Sequence, residues 1–237
     1  MLDFMKIATV PTKHGIEIFP KFIVGKSSDL MIRGGDFYAV WMEDRKLWSQ
    51  DEQDVINAID NELDRQAAEY REKYNEDVYV KYMWDSDSGV INKWHTYCQK
   101  HMRDNYKPLD KKLVFANQET KKSDYATRKL PYILEEGPHE AYDTLINTLY
   151  APEERHKIEW AIGSVITGAS KKLQKFLVIY GGPGTGKSTM IDIICMLFDG
   201  YYCAFNAKAL GSATDNFAME YFKNNPIVAI QQDADLS

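Results

Sequence analysis

Apolar and polar positions set the first pattern along the chain. The first 48 residues read as β-rich. Gly15–Val24 runs Gly-Ile-Glu-Ile-Phe-Pro-Lys-Phe-Ile-Val, a strand-like alternation in which Pro20 has no amide to give a ladder and marks an edge or a bulge. Phe37–Trp41 is an aromatic and β-branched run. A charged turn at Glu43–Lys46 then returns the chain as Leu47-Trp48, which predicts a hairpin.

The period changes after that. Ser49-Gln50-Asp51-Glu52 has the spacing of a capping box, with the serine over the free amides and the glutamate reaching back. Val55, Ile56, Ile59, Leu63, Ala67, Tyr70 and Tyr74 follow at steps of three and four, predicting a helix over 50–74. A second helix is predicted over 88–106, with Val90, Ile91, Trp94, Tyr97, Cys98, His101 and Met102 inward. It contains His95-x-x-Cys98-x-x-His101, but the two histidines fall about 120° apart around a helix axis, so no shared metal is expected. Residues 107–137 are polar and turn-rich, with short extended pieces at Leu113–Ala116 and Leu130–Leu134. Pro138 is read as opening a short helix through Leu149. Pro152 opens another through Ile166, ended by Gly168.

Composition adds bounds. The chain has 237 residues, 44% hydrophobic and 27% charged, with no apolar run near the roughly 20 residues of a membrane span. Its three cysteines, Cys98, Cys195 and Cys203, argue against a disulfide framework, so a cytoplasmic setting is expected. A net charge of −6 does not favour a nucleic-acid binder, yet residues 100–129 are locally basic through Lys100, Arg103, Lys107, Lys111, Lys112, Lys121, Lys122, Arg128 and Lys129. That strip reads either as a solvated surface or as a phosphate-facing face.

The chemistry is concentrated later. Lys175–Tyr180 reads as a short buried strand. Gly181-Gly182-Pro183-Gly184-Thr185-Gly186-Lys187-Ser188 follows at once and matches G-x-x-x-x-G-K-[ST], and an apolar helix from Thr189 to Phe198 comes next. Strand, glycine loop and helix are the context this motif requires. Glycines let backbone amides approach a triphosphate, and the helix start adds its dipole and free amides. Lys187 supplies a positive charge between the β- and γ-phosphates, and Ser188 a hydroxyl for Mg²⁺. The expected ATP contacts are therefore Gly181 through Thr189. A second strand is expected at Ile227–Ile230. Gln231-Gln232 stand where the usual acid pair would follow, so Asp233 is chosen for the Mg²⁺ role and Asp235 as second choice.

Asp124-Tyr125-Ala126-Thr127-Arg128-Lys129-Leu130-Pro131-Tyr132 resembles the T-x-K-L-P-Y run upstream of the motor in phage and plasmid superfamily 3 helicases, the primase-associated, poxvirus-related type. The expected helix Ile158–Ile166 with the following Thr167-Gly168 resembles the G-x-x-L-T-G segment before the motor's first strand. The resemblance covers roughly residues 110–237. It implies an ATPase that encircles DNA as a homo-hexamer in phage genome replication, with Lys187, Ser188 and Asp233 carrying ATP and Mg²⁺. It also implies a DNA-gripping hairpin, a sensor residue and an arginine finger. These are expected beyond Ser237, with no arginine, and so no finger, expected in the ATPase segment after Arg128. The chain is therefore expected to be part of a longer or split protein, unable to unwind DNA alone.

The expected fold class is α/β, a truncated P-loop three-layer αβα sheet. The expected division is a β-rich segment over 1–48, a mainly helical region over 49–150 and a partial ATPase over 151–237. Two alternatives remain: a non-catalytic nucleotide-binding or interaction module, and another P-loop enzyme such as a kinase. The kinase would need an arginine-rich lid after the second strand.

Overall fold

The computed structural model describes residues 2–23, 25, 27–33, 37–75, 77–85, 87, 89–100, 107–111, 113–210, 219–222 and 226–232. The protein is mixed α/β with small sheets. Its contacts group into two units, one of Met1–Lys111 with Glu119–Arg128, the other of Lys112–Gln118 with Lys129–Ser237. The expected boundaries at 48 and 150 each fall inside one of these units.

The first unit holds two three-stranded sheets. β1 (Met5–Thr12) and β2 (Gly15–Phe22) form a hairpin, and β6 (Val78–Val80) adds in parallel to β2, with Ile16 opposite Val78 and Ile18 opposite Val80. Gly15 is required at that junction: a β-carbon there would lie 2.2 Å from the Asp77 carbonyl oxygen. Pro20 sits past the last β6 pair, where β2 is bonded on one side only, in keeping with its expected edge role. β3 (Leu30–Arg33), β4 (Phe37–Met42) and β5 (Leu47–Ser49) form the second sheet. The predicted hairpin is its β4–β5 pair, with Trp41 opposite Trp48 and Lys46 in the left-handed region at the turn.

α1 (Glu52–Tyr74) begins two residues later than the capping box implies. Asp51 is the cap, accepting the Gln53 amide at 2.9 Å. Ser49 instead binds Asp54, and Glu52 meets His95 Nε2 at 2.7 Å. The Ser49 side chain is drawn away because the residue still belongs to β5. The stripe behaves as predicted as far as Ala67: Val55, Ile59, Leu63 and Ala67 are buried, whereas Tyr74 is exposed. Val55, Ile59 and Leu63 share a core with Phe4, Leu30, Val40 and Met83, and with Val90, Trp94 and Tyr97 of α2 (Val90–Lys100). His101 and Met102 lie outside the described residues.

In the second unit, Phe115 bridges Leu130 in parallel, so the two short extended pieces do meet. α3 (Glu140–Leu149) starts at Glu140, not at Pro138. α4 (Pro152–Ile166) has its proline in the first turn, and Gly168 follows it at φ 71°. A short α5 (Ser170–Leu173) follows, then α6 (Lys187–Leu197). β7 (Tyr202–Ala204) pairs in parallel with β8 (Val228–Ile230), and α7 (Ala207–Leu210) lies between them in sequence. No helix among the described residues is long and apolar enough to cross a membrane.

One buried charge in the first unit gives a testable pH effect. Asp60 on α1 accepts the Met83 amide at 2.7 Å. Burial pushes its carboxyl above the ordinary value despite the amides of Met83 and Trp84. The folded state thus holds this proton more tightly than the unfolded chain. The resulting stabilisation is present below the unfolded value of 3.8 and is lost as pH rises through the higher folded value. Asp60→Asn keeps an acceptor for Met83 and does not titrate. Its melting temperature relative to the native chain should therefore rise between about pH 3 and about pH 7. A difference that stays constant across that range would refute the burial argument.

Candidate functional site

The approach to the glycine loop differs from expectation. Lys175–Tyr180 is not a buried strand: no strand pairs with it among the described residues, and Phe176 and Tyr180 are 88% and 91% exposed. Ile179 alone packs inward, onto a cluster built from Ile146, Ile158 and Met190. An apolar run becomes a strand only when a neighbouring backbone takes its amides and carbonyls, and among the described residues β7 and β8 pair only with each other.

Past Tyr180 the loop takes a defined shape. Gly184 and Gly186 adopt φ 76° and 77°, the left-handed region that glycine enters without steric cost. Thr185 Oγ1 donates to the Gly182 carbonyl at 2.9 Å, closing the loop on itself. Gly186 caps α6, and Lys187 is the first helical residue. The Lys187 ammonium folds back over the loop and donates to the carbonyls of Gly181 at 2.7 Å and Gly182 at 2.6 Å. Pro183, Ser188 and Thr189 are exposed. The structure therefore gathers the lysine, the left-handed glycines and the open first turn of a helix on one surface loop. A helix start of this kind presents unpaired amides and the positive end of the helix dipole.

α6 is held from beneath. Met190 is fully buried against Ile146 of α3 and Ile158 of α4. At its far end, Phe198 and Tyr201 join Leu113, Phe115 and Leu130. The upstream run that carries the resemblance takes part here: Tyr132 donates its hydroxyl to the Leu197 carbonyl, and Lys129 donates to the Gln118 carbonyl at 2.7 Å.

The second motif is seen in part. β8 forms where the second strand was expected, and Gln231 and Gln232 follow it directly. Asp233 and Asp235 lie outside the described residues. No three His, Cys, Asp or Glu gather as metal ligands among the described residues. Of the expected Mg²⁺ ligands, only the exposed Ser188 is therefore described. A single protein hydroxyl is compatible with Mg²⁺, which draws most of its ligands from phosphate and water.

The basic strip is partly spent on internal partners. Lys122 pairs with Asp29, and Arg128 stands 3.9 Å from Asp110. Lys107, Lys111 and Lys121 are exposed, while Arg103 and Lys112 lie outside the described residues. Arg155 corrects the expectation that no arginine follows Arg128 in the ATPase segment. Its guanidinium binds Asp143 at 2.7 Å, Glu159 at 2.7 Å and Asn147 at 3.0 Å, and lies over the Tyr142 ring. It ties α3 to α4. The signal for it in the sequence is the Arg155–Glu159 spacing of four.

The loop glycines are unequal, and alanine substitution separates them. A β-carbon at Gly186 would lie 2.6 Å from Leu149 Cδ2 in a conformation already strained for alanine, whereas one at Gly182 meets nothing within 4 Å. Gly186→Ala should cost about 1–3 kcal/mol in urea unfolding, and Gly182→Ala less than about 0.5 kcal/mol. Equal effects would show that the left-handed turn is not what holds the loop.

Comparison with known proteins gives no match: no family model, no curated protein and no solved structure corresponds to the chain.

Proposed function

We propose that Gly181–Ser188 binds ATP with Mg²⁺, and that the chain is the ATP-binding part of a DNA-replication helicase of the primase-associated superfamily 3 type. The observation that carries the reading is the loop itself. Two left-handed glycines lead straight into a helix start, with Lys187 folded over the loop carbonyls. On this reading the amides at the start of α6 bind phosphate oxygens, and Lys187 leaves the carbonyls of Gly181 and Gly182 for the β- and γ-phosphates. Ser188 and Asp233 hold Mg²⁺, which neutralises charge on the phosphates. β8 is then one strand of a P-loop three-layer αβα sheet. Unwinding of DNA, assembly of a homo-hexameric ring and a place in phage replication belong to the same proposal and rest on the resemblance of Asp124–Tyr132 and Ile158–Gly168.

Gln231 and Gln232, directly after β8, favour a second reading. In that reading the chain binds nucleotide without turning it over, as a module that joins or modulates an assembly. The two readings share the loop and differ in hydrolysis.

Calorimetric titration with Mg·ATP tests the shared part. Lys187→Ala removes a charge-assisted contact worth about 1.5–3 kcal/mol and should weaken binding about tenfold or more. Equal affinity in the variant would refute the phosphate role of the loop. ADP release in the same samples, with and without DNA, separates the motor from the module.

A further inference from the structure

The end of α3 presses on the turn where the loop becomes a helix. Tyr150 donates its hydroxyl to the Gly186 carbonyl at 3.3 Å. The same carbonyl accepts the Met190 amide at 3.0 Å, the first bond of α6. Leu149 fills the space beside Gly186, where a β-carbon would collide with it. One peptide group is thus clamped between α3 and α6. It belongs to the left-handed residue that sets the direction of the next amides, those of Lys187, Ser188 and Thr189. These amides lack helical acceptors and must find another partner.

Tyr150 is itself well fixed. Its ring packs against the Ile146–Ile158–Met190 cluster. The helix that follows it is joined to α3 through Arg155, with Asp143 on one side and Glu159 on the other. Burial, and then the charge of Glu154, push the Tyr150 hydroxyl above its ordinary value, so it keeps its proton and remains a donor at neutral pH.

We infer that Leu149 and Tyr150 are positioning residues for the phosphate loop: from the C-terminal end of α3 and the residue that caps it they hold the Gly186 turn so that the first amides of α6 converge on a bound phosphate. The inference rests on the phosphate reading of the loop and extends it to residues outside the motif. Neither residue needs to touch the nucleotide. Their effect appears in any ligand that carries the phosphate chain, with or without a base.

Tyr150→Phe is the deciding variant, because it keeps the ring and its packing and removes only the donor. The native chain, Tyr150→Phe and Lys187→Ala are titrated with Mg·ATP and with inorganic tripolyphosphate. Amide hydrogen exchange is followed without ligand. Tyr150→Phe should weaken both ligands by the same factor, about three- to tenfold. Exchange of the Met190 amide, which bonds to the Gly186 carbonyl, should accelerate while exchange in α1 stays unchanged, a pattern that general loss of stability does not give. If the native chain binds both ligands and Tyr150→Phe binds them equally well, with unchanged exchange, the positioning role is overturned and the phosphate reading stands. If the native chain binds neither ligand, the phosphate reading falls and this inference with it.

Discussion

Met190 is the residue on which the geometry of the loop depends. It lies in the first turn of α6 and is fully buried against Ile146 and Ile158. Burial of such a side chain contributes roughly 1.5–3 kcal/mol. Its amide also bonds to the Gly186 carbonyl. The start of α6 is therefore fixed by packing and by a hydrogen bond at once. The Gly186 turn before it is held by that bond and by Tyr150 and Leu149 together, and the loop takes its shape from where α6 begins. A helix whose first turn is buried on one side offers its unpaired amides on the other, which makes this helix start usable as an anion site.

The sequence is most legible where local chemistry and packing agree. The β4–β5 hairpin follows from an aromatic run, a charged turn and a returning Leu-Trp. Trp41 and Trp48 meet across it with ring centroids 5.9 Å apart. The stripe from Val55 to Ala67 is buried as its spacing requires. Agreement fails where one residue can serve two elements. Ser49 fits a helix cap by pattern, but it ends β5, and Asp51 takes the cap instead. Lys175–Tyr180 fails for the opposite reason. Its composition favours a strand, yet a strand is a relation between two backbones, and no partner lies beside it among the described residues. Ile179 reaches the core because the cluster under α6 takes it, and the outward Phe176 and Tyr180 have no such neighbour.

The loop was legible because its requirements are backbone requirements written as glycines. Gly184 and Gly186 take left-handed conformations. What the motif cannot show is its surroundings. Nothing in the spacing of Leu149 and Tyr150 announces that they contact Gly186, thirty-odd residues along the chain, because that contact arises from the way α3 packs on α6. Arg155 is similar. Its donors go to Asp143, Glu159 and Asn147, partners that the sequence alone does not bring together.

The state of Lys187 bears on what the loop can select. Its ammonium already donates to two carbonyl oxygens. A ligand therefore does not add contacts to an idle charge; it must displace contacts that exist. Hydrogen bonds between an ammonium and an anionic oxygen are roughly twice as strong as those to a neutral acceptor. The exchange is favourable for phosphate oxygens and gains little for a hydroxyl or an amide. The displaced carbonyls of Gly181 and Gly182 lie on an exposed loop, where water can take them over at small cost. A loop built this way discriminates by charge before it discriminates by shape. If the loop holds phosphate as proposed, its preference is for a chain of phosphates, and no contact described in the loop selects a base.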